Sequence, residues 1–184
     1  MAAPTRFEDL ALPHRAAAFN LAYWLVGRRD EADDVVQDAY VRAFRGFGGF
    51  KGDDVRPWLL TIVRNVALRS LQNRKRSGNV VSIDEALLPR DGRPAREFAS
   101  DEPSAESGLI AQGERETLLA ALAEVSLVYR EIVVLREIEG LAYKDIAEVV
   151  GVPIGTVMSR LARGRDELRA ALLRRLERDE KNAV

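Results

Sequence analysis

From Asp30 onward, Ala32, Val35, Val36, Ala39, Tyr40, Ala43 and Phe44 recur at the i, i+3, i+4, i+7 spacing that gathers apolar side chains on one face of a helix. Asp30 is the expected N-cap of that helix. Upstream, a helix that starts near Pro13 and stops at Gly27 is expected to bury Ala18, Leu21, Ala22 and Leu25. Downstream, another starts at Pro57 and runs past Leu71. Three helices thus form a first core. Between the second and third lies "GFGGFKGDDVRPW", residues 46–58, a glycine-rich loop that carries Phe47, Phe50 and Trp58. Trp58, inside the helix start, is expected to pack inward. The glycines at the tip let a ligand approach the backbone closely.

The second half repeats the helical period. Helices are expected at about 109–124 and 128–139, Gly140 breaks the chain, and "LAYKDIAEVVGVPIGTVMSRLARGRDEL" follows. This segment has the anatomy of a helix-turn-helix. Tyr143, Ile146, Ala147 and Val150 make the inner stripe of a short helix, "GVP" makes the turn, and Pro153 suits the first turn of the next helix. In that helix Ile154, Val157, Leu161, Gly164 and Leu168 fall on one side at about 100° per residue. The other side presents Gly155, Ser159 and Ala162, flanked by Thr156 and Arg163. Small residues let a helix backbone approach the floor of the major groove, while serine and arginine can bond base edges or phosphates. An ordinary helical hairpin with a solvated basic face has the same spacing.

Between the halves, residues 77–113 carry Pro, Gly and Ser punctuation without a sustained apolar period and read as a linker. The chain has 184 residues, enough for two small cores. Its net charge of -1 hides an uneven spread. Residues 1–76 hold 13 Lys and Arg against 9 Asp and Glu, the linker 3 against 7, and residues 114–184 hold 12 against 13. The linker is therefore the acidic part, and the basic surplus lies in the first half, where the last helix ends in "QNRKR". There is no cysteine, which removes thiolate metal sites and disulfides and fits a reducing compartment. The single histidine, His14, lies in an apolar helix start and is expected to be a packing or surface residue. No apolar run approaches the ~20 residues of a membrane span and no signal-peptide layout is seen, so a cytoplasmic location without membrane insertion is expected.

An enzyme needs a site, and none is legible. There is no G-x-x-x-x-G-K loop, and Asp33 and Asp34 read as favourable charges near a helix N-terminus on its open face. No catalytic residue, metal or cofactor is expected.

"RRDEADDVVQDAYVRAF", "WLLTIVRNVAL" with its basic end, and "YREIVVLREIEGLAYKDIAEVVGVPIGTVMSRLARGRDEL" closely resemble, in order and spacing, bacterial RNA polymerase sigma factors of the extracytoplasmic-function group. The resemblance implies an all-α chain with region 2 at 10–76, a flexible linker at 77–113, and region 4 with its helix-turn-helix at 114–176. It implies a transcription initiation factor that binds core RNA polymerase through the beta and beta-prime subunits. Region 2 would bind the polymerase clamp through Asp34, Gln37, Asp38 and Arg42. The melted minus-ten element would meet Phe50, Lys51, Arg56, Arg64, Asn65, Arg74, Lys75 and Arg76, the loop at 46–56 capturing a flipped base. Thr156, Met158, Ser159, Arg160, Ala162, Arg163 and Arg165 would contact the minus-thirty-five element.

The acidic linker would run toward the active-site cleft. An anti-sigma factor is an implied partner, and the free chain is expected to be a monomer. Val125, Ser126 and Leu127 stand where a proline pair is common, Met158 where Lys or Arg is common, Arg69 where Asp is frequent and Gln72 where Arg is frequent. The competing readings are a helix-turn-helix repressor, which would bind duplex DNA alone as a symmetric dimer, and a sigma-like decoy that binds a regulator.

Overall fold

The computed structural model describes residues 6–76 and 105–182, with side chains described over 6–76 and 113–178. Most of the expected linker, residues 77–104, lies outside the described residues. A short helix α1, Phe7–Ala11, and a 3₁₀ turn at Leu12–His14 lead into α2, Arg15–Val26. Then come α3, Arg29–Gly46, a 3₁₀ turn at Phe47–Gly49, and α4, Val55–Arg76. After the gap, α5 spans Ala105–Glu124 and α6 spans Leu127–Val133, which widens into a π-type turn at Val134–Ile138. The helix-turn-helix follows as α7, Tyr143–Val150, and α8, Ile154–Asn182. Among the described residues there is no strand, so the chain is all-α.

Local chemistry accounts for several boundaries. Gly27 ends α2 with its N–H donating to the Tyr23 carbonyl at 2.8 Å. Asp54 accepts the Arg56 N–H at 2.9 Å, so α4 begins at Val55, two residues before the proline that marks it in the sequence. Asp30 is not an N-cap: that position is Arg28, and Asp30 sits in the first turn of α3, where it accepts the Arg28 guanidinium. Charge near the helix N-terminus suits the macrodipole there, without a side-chain cap. Helix α1 was not legible, since five residues are too few to show a period.

The larger departure concerns the core. Two separate cores are the sequence expectation, with one buried face on α2. In the structure Ala17 through Val26 are all buried, on every side of α2. Apart from Asn20, "AAFNLAYWLV" is apolar around the whole helix, and a helix apolar all round is one that is enclosed. Helices α3 and α4 cover it on one side, and α6 with its π-type turn also packs against it. Helix α4 in turn packs on α7. One continuous apolar cluster therefore runs through both helical blocks, from Leu21, Leu25 and Val63 to Ile132, Leu135 and Ile146. A smaller cluster of Phe7, Ala11, Ala43 and Leu59 seals the end near α1, with Phe7 edge-on to Tyr40, Phe44 and Phe47.

Packing inside the second block is tight at Gly164 on α8. A Cβ there would lie 2.6 Å from Val133 Cγ2, 3.2 Å from Tyr129 Cβ and 3.3 Å from the Tyr129 carbonyl oxygen. Only glycine allows α8 this near to α6. Gly164→Ala is therefore expected to cost about 1–3 kcal/mol of stability through overpacking. Gly155→Ala, with nothing within 4 Å of the added Cβ, should leave stability unchanged or raise it by up to about 1 kcal/mol. Thermal unfolding of the two variants measures the contrast.

Candidate nucleic-acid interface

The turn of the helix-turn-helix is set by Gly151, at φ 72°, and by Pro153, whose carbonyl accepts the N–H groups of Thr156 and Val157 at 2.9 and 3.1 Å. Val157 and Leu161 are buried against the rest of the block, as their spacing predicts. Gly155, Ser159, Ala162 and Arg163 are exposed, and Thr156 and Arg160 are half-buried. The outward face of α8 is thus the one expected from the sequence, with one correction. Ile154, placed with the inner stripe, is 46% exposed, and Met158 one turn later is 53% exposed. At about 100° per residue Ile154 stands about 60° round from Val157, at the margin of the buried stripe. The outward face therefore carries an apolar row at i, i+4 and i+8: Ile154, Met158 and Ala162.

The polar groups of this face are oriented. Ser159 Oγ donates to the Thr156 carbonyl at 3.0 Å, which leaves its oxygen able to accept. Arg163 Nη1 donates to the Tyr129 hydroxyl at 3.3 Å, and Arg165 Nε donates to Glu137 at 2.9 Å. Both arginines remain exposed.

In the first block the loop at 46–58 closes on its own aromatic rings. Phe50 stacks on Phe47 with centroids 6.2 Å apart and lies 5.1 Å from Trp58. Trp58 packs against the smaller cluster, as expected. Gly52 makes this possible, because a Cβ there would meet the Phe50 ring at 2.9 Å. Lys51 is exposed at the tip.

Of the polar and basic residues assigned to single-stranded DNA, Asn65, Lys75 and Arg76 are exposed along α4. Arg74 is held by Glu31 of α3 at 2.6 Å, beside Ser70, which donates to the same carboxylate. Arg56 and Arg64 are engaged by the second block. Arg64 Nε and Nη2 donate to the two carboxylate oxygens of Glu131 at 2.8 and 3.2 Å. Arg56 Nη2 donates to Glu139, at 2.7 Å to its backbone carbonyl and 2.9 Å to its carboxylate. Asn20 donates to the same carboxylate at 3.0 Å. No sequence period could reveal these pairs, whose members are 67, 83 and 119 residues apart.

On α3, Asp34 and Gln37 are exposed, and Asp38 accepts two bonds from Arg42 at 2.9 Å, one turn on. The Arg42 guanidinium holds the Asp38 carboxyl below its usual range. Val41, 45% exposed, and Phe44, 61% exposed, stand on the same helix. Phe44 was placed on the buried face and Val41 was not singled out. The signal for Val41 was its position between Tyr40 and Arg42, off the buried stripe. Among the described residues no acidic, histidine or cysteine cluster could hold a metal ion. No helix among them is long and apolar enough to cross a membrane.

Residues 10–77 match the family Sigma-70 region 2, and residues 115–168 match Sigma-70, region 4. The chain is 32% identical over 168 residues to the ECF RNA polymerase sigma factor SigE of Mycolicibacterium smegmatis, covering 91% of this chain and 62% of SigE. It is 32% identical over 170 residues to the RNA polymerase sigma-H factor of Pseudomonas aeruginosa, covering 90% of this chain and 86% of that protein. Its fold is similar to that of the sigma factor RpoE of Bartonella quintana, solved in complex with the anti-sigma factor NepR. That likeness has a TM-score of 0.68 at 27% identity, over 90% of this chain and 96% of the other.

His14 lies half-buried near Arg56 and Asp54, at the edge of the same contact between the blocks. Burial, and then the Arg56 cation, push its pKa below the ordinary 6.5, against an opposing pull from Asp54. The unfolded chain therefore binds the His14 proton more readily than the folded one, and stability falls as pH drops through about 6.5. Urea unfolding of the wild type and His14→Gln from pH 8 to pH 5 should show a smaller acid loss in the variant. Parallel curves would remove His14 from the account.

Proposed function

The chain belongs to the extracytoplasmic-function group of the sigma-70 family, transcription initiation factors of RNA polymerase, and on that premise we propose how its residues divide the work. Residues 10–76 form the part that binds core RNA polymerase and the melted minus-ten strand, and residues 114–176 the part that reads the minus-thirty-five duplex. The chain acts in the cytoplasm and carries out no chemistry itself. Core RNA polymerase and promoter DNA are its partners, and an anti-sigma factor, such as the one that accompanies RpoE of Bartonella quintana, restrains it.

The observation that carries this reading is the outward face of α8. Gly155, Ser159 and Ala162 leave the helix backbone uncovered, with open space around Gly155, as close approach to a major-groove floor requires. The apolar row beside them gives the face a preference. Ile154, Met158 and Ala162 offer methyl and thioether surface, which suits the C5-methyl of thymine, while Arg163 offers two donors to guanine or phosphate. On α3, Val41 and Phe44 next to Gln37 and Asp38 make a mixed apolar and polar patch of the kind proteins dock on. That patch is the clamp-binding surface in this reading. Lys51, Asn65, Lys75 and Arg76 line the side of α4 and its preceding loop that meets the single strand, where cations and stacking surfaces work together.

Transcription by purified core polymerase with this chain added, read as mapped start sites on genomic DNA, tests the reading as a whole. Initiation at discrete sites supports it; none, with the chain bound to a duplex operator by itself, replaces it with a repressor. Ser159→Ala and Arg163→Ala should each weaken promoter binding, by about 1–3 kcal/mol where a bidentate base contact is lost. Met158→Arg should shift preference at its facing base pair from thymine toward guanine in a library of minus-thirty-five variants. The double variant Gln37→Ala with Asp38→Ala should keep its melting temperature to within a few degrees, since Gln37 is exposed and the Asp38–Arg42 pair lies at the surface, where such pairs contribute at most about 1 kcal/mol, and lose core affinity. Normal core affinity in that folded variant removes α3 from the polymerase contact.

A further inference from the structure

The contact between the two blocks buries polar groups in a specific arrangement. Glu131 and Glu139, 3% and 9% exposed, both come from the second block and both face α4 of the first. Arg130, 3% exposed, sits beside Glu131 and reaches across to the Trp24 carbonyl at the end of α2, at 3.3 Å, while bonding the Ala123 and Val125 carbonyls of its own block. The arginines that Glu131 and Glu139 engage are two of the cations assigned above to the single strand. Carboxylate and phosphate present the same forked oxygen geometry to a guanidinium. Arg64 is in the bidentate grip of Glu131, and Arg56 is held through Nη2 by the carboxylate and backbone carbonyl of Glu139, so the donors so engaged cannot serve a phosphate at the same time.

We propose that Glu131 and Glu139 form an intramolecular latch that stands in for the phosphates of promoter DNA and holds the free chain closed. The proposal rests on the reading of Arg56 and Arg64 as contacts to the melted strand. Opening the latch separates α4 from α7 and α2 from α6, exposes both arginines, and lets the second block swing away to its own DNA element. The contact is polar as well as apolar: Asn20, Arg56 and Arg64 donate to the two carboxylates and Arg130 donates to the Trp24 carbonyl, and on parting each of these groups exchanges its partner for water. A closed majority lowers apparent DNA affinity by the open fraction: an open form at about a tenth of the population costs about tenfold.

The test uses the full chain, whose lack of cysteine allows a clean dye pair at Gln72→Cys on α4 and Lys144→Cys on α7, both exposed positions. Energy transfer between the dyes reports closure, and a fluorescein-labelled single-stranded oligonucleotide reports DNA binding. The double variant Glu131→Gln with Glu139→Gln should lose energy transfer. It should also bind the oligonucleotide about tenfold tighter, with a salt slope steeper by about 0.7 for each arginine released to a phosphate. The converse variant, Arg56→Gln with Arg64→Gln, should open equally and gain no DNA affinity.

Unchanged energy transfer in both variants overturns the latch. Opening of Glu131→Gln with Glu139→Gln without a gain in DNA affinity overturns the competition. The underlying reading is judged separately, by whether Arg56→Gln with Arg64→Gln impairs initiation in complex with core polymerase; if it does, the arginines remain DNA contacts and only the latch falls. Should Glu131→Gln with Glu139→Gln fail to keep its helical circular dichroism, Glu131→Gln alone is measured by the same two readouts.

Discussion

A guanidinium and a carboxylate removed from water together are costly unless their geometry is near ideal, and Arg64 with Glu131 meets that condition through two parallel bonds. The pair joins helices from opposite halves of the chain, and much else follows from it. It fixes α6 over α2, which lets α2 be apolar on all sides. It brings Arg130, the residue just before Glu131, to the end of α2. It also places Glu139, two turns further on, against Arg56 and Asn20. Removing one partner would strand a buried charge, whereas parting both halves returns each charge to water. The pair therefore favours two states, fully docked and fully open, over partial separation.

Such a division suits a protein whose work is recognition. In the proposed reading the second block would read duplex DNA through a helix surface of small side chains, and the first would offer cations and aromatic rings to a single strand. These elements are sequestered unequally in the docked form. The outward face of α8 stays exposed, with Ile154, Met158 and Ala162 in a row, and so does the patch around Val41 and Phe44 on α3. Arg56 and Arg64 of α4 are covered by the second block. The surfaces that would first meet duplex DNA or another protein remain available, whereas the surface proposed for melted DNA is available only in part: Lys51, Asn65, Lys75 and Arg76 are exposed, while Arg56 and Arg64 are engaged.

Much of this fold was legible in the sequence, for reasons tied to particular residues. The stripes through Val35 and Ala39, and through Val157 and Leu161, have the helical period and are buried as expected. The helix-turn-helix announced itself through Gly151 and Pro153, residues with narrow conformational uses. Ile154 and Phe44 went astray because each lies at the margin of its stripe or at a helix end, where the period alone does not decide exposure. The docking of the two halves was not legible at all. Its determinants, Asn20, Arg56, Arg64, Glu131 and Glu139, are polar residues far apart in sequence, and each reads locally as ordinary helix surface. The one available hint was α2, whose apolar character on every side asks for more cover than two neighbouring helices provide.

The central claim is that the two halves are bound to each other by buried charge and not merely placed side by side. A double-mutant cycle on Arg64→Ala and Glu131→Ala, followed by urea unfolding, tests it most directly. Each single change should cost about 3–5 kcal/mol by leaving a buried charge unpaired, and the double variant should lose clearly less than the sum, with a coupling of about 1–3 kcal/mol. Additivity within about 0.5 kcal/mol would show that the two residues do not act on each other, and would contradict the account.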